Sequence, residues 1–283
     1  MRQEFGDNLS LGEEMRVALA ASISAGAILM GFLDRVKSEQ KADGEMVSEA
    51  DRAADSHLRS ALSTAFPRDG LLSEETPDDG DRFHRERVWI IDPLDGTREY
   101  LTGIDEWAIH VGLVEKGEPI LGIVHRPSRG ETWVGIPGVG AWVRRELKGS
   151  FTPLVARPRN GLIRVILSHR DLGQVGNAWL ARLPVHEQVR CGGSGLKAVL
   201  VAEGAAHVYG ALTPKMKEWD TCAPHAVVVG AGGLCTDLAL RPLRYNRKNL
   251  FADQGFLVVS PGEVAELRDA LASAATQVPW LEG

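Results

Sequence analysis

The chain has 283 residues, 44% of them hydrophobic and 25% charged, which is close to globular averages and excludes disorder and collagen-like structure. Its 32 basic and 38 acidic residues leave a net charge of −6, which disfavours a nucleic acid polymer as partner because a polyphosphate backbone calls for a positive field. Cys191, Cys222 and Cys235, without a C-x-x-C pair, argue against a disulfide framework and suit a reducing compartment.

Residues 1–10 lack the basic start and apolar stretch of a secretory signal, and no apolar run is read as approaching the roughly 20 residues that span a bilayer. A cytoplasmic protein without a transmembrane segment is therefore expected; peripheral membrane association stays open. Met15, Leu19, Ile23, Ala27, Met30 and Leu33 recur at helical spacing and predict an amphipathic core helix over 11–36. A polar loop over 37–46 follows. Ser48 and Asp51 have the spacing of a capping box, and Ala50, Ala54, Leu58, Ala61 and Ala65 carry a second helix toward Pro67. Short buried strands at 71–75 and 88–92 flank a charged, solvated loop. From Trp107 to Arg144, β-rich runs separated by turn residues predict an antiparallel meander in which His110 and His125 are structural.

From Leu162 strands alternate with helices, expected over 172–183, 196–203 and 221–231, which suggests an α/β half. The proline-containing stretch 152–161 is the natural seam, dividing the chain into 1–157, with helices and an antiparallel sheet, and 158–283.

The densest chemical signal is Asp92-Pro93-Leu94-Asp95-Gly96-Thr97, at the end of a buried strand. Proline fixes one backbone torsion and glycine permits the return, so the two acids can converge. Clustered carboxylates repel unless a cation lies between them, and hard oxygen ligands suit Mg²⁺. Glu74 and Asp220, each beside an apolar segment, are further candidates. Taken singly, Asp92 and Asp95 are equally explained by an Asx turn, and Asp220 by capping of the helix 221–231. The glycine-rich 192–195 reads either as a loop that approaches a ligand or as an ordinary strand-to-helix turn. Lys197, against the helix dipole, reads as an anion ligand or as a solvated surface lysine. Trp219 reads as a packing anchor beside Asp220, and His225 as a packed or surface histidine.

S-E-A-D (48–51), L-S-E-E (72–75), W-I-I-D-P-L-D-G-T (89–97) and E-W-D-T-C-A (218–223), followed by A-G-G (231–233), resemble in order and spacing the signatures of the inositol monophosphatase superfamily of Mg²⁺-dependent, lithium-sensitive phosphatases. R-E-Y-L after D-G-T, the run 195–209 and P-L-R-Y-N (242–246) resemble most its CysQ branch, the 3′(2′),5′-bisphosphate nucleotidases. The resemblance implies an α/β/α/β/α sandwich of the sugar phosphatase type. It also implies hydrolysis of adenosine 3′,5′-bisphosphate, a by-product of sulfate activation, to AMP and phosphate. An inositol or fructose 1,6-bisphosphate phosphatase is the neighbouring alternative, and a non-catalytic nucleotide or metal sensor the remaining class.

Carried residue by residue, the resemblance makes Glu74, Asp92, the Leu94 carbonyl, Asp95 and Asp220 ligands of two Mg²⁺ ions, with a third ion at Asp43 and Glu45. Glu74 and Thr97 then activate a water nucleophile, and Asp51 orients the threonine. Gly96 and Thr97 bind the scissile phosphate, while Ser168, His169, Ser194, Gly195 and Lys197 contact the rest of a small phosphate ester; homodimers are common among such relatives. The chain departs from the branch in having Ile166-Leu167-Ser168-His169 where S-R-S-H is usual, and Gly193-Ser194-Gly195-Leu196-Lys197 where G-S-S-L-K is usual. Both departures bear on substrate preference and leave the metal ligands untouched.

Overall fold

In the computed structural model, which describes Phe5 and residues 11–33, 38–40, 46–157 and 161–281, the two sequence rhythms sort into separate sheets. Strands β1 (Ser38–Gln40) and β2 (Met46–Ser48) make a small antiparallel pair. The meander builds a seven-stranded sheet whose strands lie in sequence order: β3 (Gly70–Ser73), β4 (Arg87–Asp95), β5 (Ala108–Glu115), β6 (Glu118–Arg126), β7 (Glu131–Ile136), β8 (Gly140–Arg144) and β9 (Thr152–Pro153). Every neighbouring pair is antiparallel except β3 and β4.

The α/β half forms a five-stranded sheet in the order β11 (Glu187–Arg190), β10 (Arg164–Leu167), β12 (Val208–Ala211), β14 (Phe256–Val259) and β13 (Leu234–Thr236). Its first three strands are parallel and the pairs involving β14 are antiparallel.

Alternation along the strands sets the layers. Trp89 and Ile91 of β4 face a cluster with α1 (Gly12–Phe32) and α2 (Glu49–Ala65), whereas Val88 and Ile90 face Trp219 and Cys222 of α6 (Glu218–Gly230). Between the sheets lie α5 (Ser194–Ala202) and α6; α4 (Gly173–Leu180) and α7 (Val264–Ala275) cover the far face of the second sheet. A five-residue helix, α3 (Thr97–Leu101), follows β4. The order is the α/β/α/β/α sandwich that the resemblance implied.

Several local expectations are corrected. The buried face of α1 is Met15, Ala18, Leu19, Ala21, Ser22, Ala25, Gly26 and Leu29, while Met30 is exposed. The large apolar residues suggested a stripe rotated from this one, but small residues make the contact, with Gly26 pressed on His125 and Pro127. At 21 residues, with a mean hydropathy of 1.6, α1 is also long and apolar enough to cross a bilayer, contrary to the reading of the sequence, yet it serves here as a core helix. Helix α5 begins two residues earlier than expected and α6 three, so Asp220 lies in the first turn of α6 instead of preceding it. The end of the first expected helix and the third-metal candidates Asp43 and Glu45 lie outside the described residues.

Helix α6 is seated unusually close to the seven-stranded sheet because Gly112, Gly122 and Gly135 meet it at successive strands. A Cβ on Gly135 would approach the Cα of Val227 and the carbonyl oxygen of Ala226 closer than 3.0 Å, and neither backbone atom can rotate away. Gly135→Ala should therefore destabilise the fold by about 3 kcal/mol, at the upper end of overpacking costs. Urea unfolding measures it; a loss indistinguishable from zero contradicts this account of how α6 is positioned.

Candidate active site

Asp92 and Asp95 are three residues apart, so in a regular strand they would point to opposite faces. The register prevents this. Asp92 pairs with His110 and Asp95 with Ala108, so three steps along β4 match two along β5. The extra residue is accommodated beside Pro93, which has no N–H to offer the ladder. The phase of the strand flips across this bulge: Leu94 joins the α1 and α2 cluster while both aspartates face the layer between the sheets. Asp92 also accepts from the Leu94 amide at 2.9 Å, so the Asx turn and the convergence coexist. Ligand oxygens of Asp92, Asp95 and Asp220 all lie within 4.8 Å of one another.

Glu74 extends β3 by one hydrogen bond, its amide donating to Ile91, and lines the same cavity although it stands outside that trio. Burial, followed by the charges of Glu74, Asp95 and Asp220, pushes the Asp92 carboxyl well above its usual range. Three hard oxygen donors under mutual repulsion are a donor set suited to a divalent cation such as Mg²⁺, which would remove the penalty. Just beyond, Gly96 adopts φ +90 and α3 begins at Thr97, as the motif suggested. The Thr97 hydroxyl lies 3.1 Å from the Leu94 carbonyl oxygen and 3.3 Å from Asp51 Oδ1. Asp51 is buried and held by the capping box, accepting from the Ser48 amide at 2.9 Å.

Asp95 joins the two sheets. Helix α5 has glycine at its N-cap and no capping side chain of its own. Asp95, about a hundred residues away, supplies the missing acceptors: Ser194 N donates to Oδ1 at 2.9 Å and Gly195 N to Oδ2 at 2.8 Å. Burial opposes its charge, but His110, Lys197 and the Ser194 amide more than offset this and hold the carboxyl below its usual range. A second tie follows from Pro224 inside α6. Lacking an N–H, it leaves the Asp220 carbonyl without its helical partner, and the Ser194 hydroxyl stands between that oxygen at 3.2 Å and Asp95 Oδ1 at 3.0 Å, able to donate to either. The Asp220 side chain accepts from the Lys217 amide at 2.7 Å.

Lys197 is neither solvated nor on the surface. Its buried ammonium bends back along α5 and donates to the carbonyls of Gly193 (2.5 Å), Gly192 (3.1 Å) and Cys191 (3.4 Å), rigidifying the glycine loop.

The carboxylates line a cavity of about 840 Å³, within the roughly 300–1,000 Å³ typical of small-molecule sites. Gly96, Ser168, His169, Ser194 and Lys197 line it, as do Arg98, Arg170, Lys215 and Lys217. The Gly195 amide is engaged by Asp95.

Three features escaped the sequence reading. Glu106 accepts from the Gly192 amide at 2.5 Å and meets His169 Nε2 at 2.6 Å, joining the β5 connection to the substrate side. Arg82, expected in a solvated loop, is fully buried; it donates to Asp78, Asn246 and the Arg247 carbonyl. Glu218, equally buried, accepts from the amides of Asn246 (2.7 Å) and Arg247 (3.0 Å). This clasp braces the segment after Glu74 against the helix that carries Asp220. His110, expected to be structural, lies in the carboxylate cluster, with Nε2 3.3 Å from Asp95 Oδ2. His125 and His225 are packed as expected, and burial pushes both down to about 4.

A folded-state pKa raised above the unfolded value near 3.9 means that Asp92 destabilises the metal-free fold increasingly as pH rises through and beyond that range. Under chelation at pH 7, Asp92→Asn should therefore raise the melting temperature, whereas Mg²⁺ should stabilise the natural protein more than the variant. Calorimetry in EDTA and in excess Mg²⁺ measures both; equal Mg²⁺ shifts in the two proteins contradict the assignment.

Comparison with known proteins agrees with this geometry. The model of the inositol monophosphatase family matches residues 11–277. The chain is 34% identical over 244 residues to the 3′(2′),5′-bisphosphate nucleotidase CysQ of Escherichia coli strain K12, covering 83% of this chain and 95% of that one. It is 32% identical to the histidinol-phosphatase of Mycobacterium tuberculosis strain H37Rv, covering 80% and 88%. The solved structure of CysQ from Bacteroides thetaiotaomicron superposes with a TM-score of 0.77 at 27% identity, covering 89% of this chain and 98% of that one. The match to residues 11–277, on a chain whose carboxylate cluster faces a small-molecule cavity between two sheets, places this protein in the inositol monophosphatase family of phosphatases.

Proposed function

We propose that the protein is a Mg²⁺-dependent phosphomonoesterase that hydrolyses adenosine 3′,5′-bisphosphate to AMP and phosphate. The observation that carries this reading is the mixed lining of one cavity, which holds the carboxylates of Glu74, Asp92, Asp95 and Asp220 together with Arg98, Arg170, Lys215 and Lys217. A substrate with one phosphate for the carboxylate-bound cations and a second anionic group for the basic side chains fits such a lining. The similarity to CysQ proteins supports the same choice.

Glu74, Asp92, Asp95, Asp220 and the Leu94 carbonyl would hold two Mg²⁺ ions, which supply positive charge to the phosphate oxygens and acidify the attacking water. The chain does the rest. Glu74 accepts the proton of the water. The Thr97 hydroxyl, between Leu94 O and Asp51, orients that water. Backbone N–H groups at Gly96 and Thr97 donate to the phosphate. Ser168, His169, Ser194, Gly195 and Lys197 shape the nucleotide side, Lys197 through the loop it holds.

Initial rates with Mg²⁺, with and without Li⁺, on adenosine 3′,5′-bisphosphate, inositol 1-phosphate, fructose 1,6-bisphosphate and histidinol phosphate test the reading. The nucleotide should be hydrolysed fastest and Li⁺ should inhibit; faster hydrolysis of any other substrate overturns the nucleotide assignment. Glu74→Gln should lower kcat by about 10²–10⁴-fold, the usual contribution of a general base, with the fold unchanged. A kcat near that of the natural protein removes Glu74 from this role.

A further inference from the structure

His110 belongs to none of the motifs, yet its side chain is completely buried beside Asp95. Nδ1 lies 3.3 Å from the Trp219 carbonyl oxygen and Nε2 3.3 Å from Asp95 Oδ2, so an acceptor oxygen faces whichever nitrogen carries the proton. Nε2 makes no in-line hydrogen bond, which leaves a buried polar atom directed at the carboxylate cluster. On the other side stands Gly195. A Cβ there would enter the imidazole, approaching Nε2, Cε1 and Cδ2 closer than 3.0 Å. The amide of the same glycine donates to Asp95 Oδ2 at 2.8 Å. One carboxylate oxygen thus lies against a ring on β5 at 3.3 Å and accepts from the first turn of α5 at 2.8 Å. The two contacts coexist only because residue 195 has no side chain.

We propose that His110 and Gly195 are a matched steric pair that positions the Asp95 carboxylate for a divalent cation, His110 acting as a positioning residue. The inference rests on the metal reading given above. It also accounts for the departure from G-S-S-L-K at position 195: with histidine at 110, a serine side chain has no room. A fixed ligand loses less freedom on binding a cation, and removing the partner that orients a ligand typically costs 10–100-fold in affinity.

The test is a double-mutant cycle on the full chain, with Mn²⁺ binding followed by electron paramagnetic resonance and melting temperature followed in parallel. His110→Asn should bind Mn²⁺ at least about tenfold more weakly with little change in melting temperature. Gly195→Ala should lose both affinity and thermal stability, because the ring is displaced. The double variant should recover the melting temperature and keep the weakened affinity of His110→Asn. Natural affinity in His110→Asn overturns the proposal. So does a melting temperature in that variant as low as that of Gly195→Ala, which would assign His110 to packing alone. Absence of Mn²⁺ binding by the natural protein overturns the metal reading and this inference together, an outcome distinct from the other two.

Discussion

Carboxylates brought within 4.8 Å of one another in a buried site repel, and a fold that does this must hold them against that repulsion. Much of this structure can be understood as the means. The bulge at Pro93 brings Asp92 and Asp95 onto one face. Parallel pairing of β3 with β4 delivers Glu74 to the end of the neighbouring strand. Three glycines let α6 settle onto the sheet, and with it Asp220. Each device is local, but all serve one cluster. A divalent cation would relieve that repulsion, and a cation is what a phosphate ester needs beside it.

The two sheets meet at this cluster through shared atoms. Asp95 acts both as a candidate ligand and as the N-terminal acceptor for α5, while the carbonyl freed by Pro224 faces the Ser194 hydroxyl. The geometry of the carboxylate cluster and the relation between the sheets are therefore coupled. A net charge of −6 is compatible with an anionic substrate: cations held by the clustered acids would invert the local sign, and Arg98, Arg170, Lys215 and Lys217 line the same cavity.

What was legible in the amino-acid order was whatever is encoded in contiguous residues. Asp92 and Asp95 lie on a turn of six residues, Ser48 and Asp51 announce their own helix, and the change from alternating to α/β rhythm marks two sheets. What was not legible depends on contacts between distant segments. His110 looks like any meander histidine until Gly195 packs on it, 85 residues later. Arg82 sits in a charged loop that reads as solvated, and only the segment around Asn246 buries it. The buried face of α1 is hidden in the sequence for a related reason. Hydrophobicity marks the large residues, whereas close approach to the sheet selects Ala18, Ser22, Ala25 and Gly26.

Asp92, Asp95 and Asp220 are placed to hold a divalent cation between the sheets. Anomalous diffraction from crystals grown with Mn²⁺, recorded at the manganese absorption edge, tests this most directly. At least one anomalous peak should lie within coordination distance of oxygens from all three aspartates. Ordered carboxylates with no anomalous density among them would contradict it.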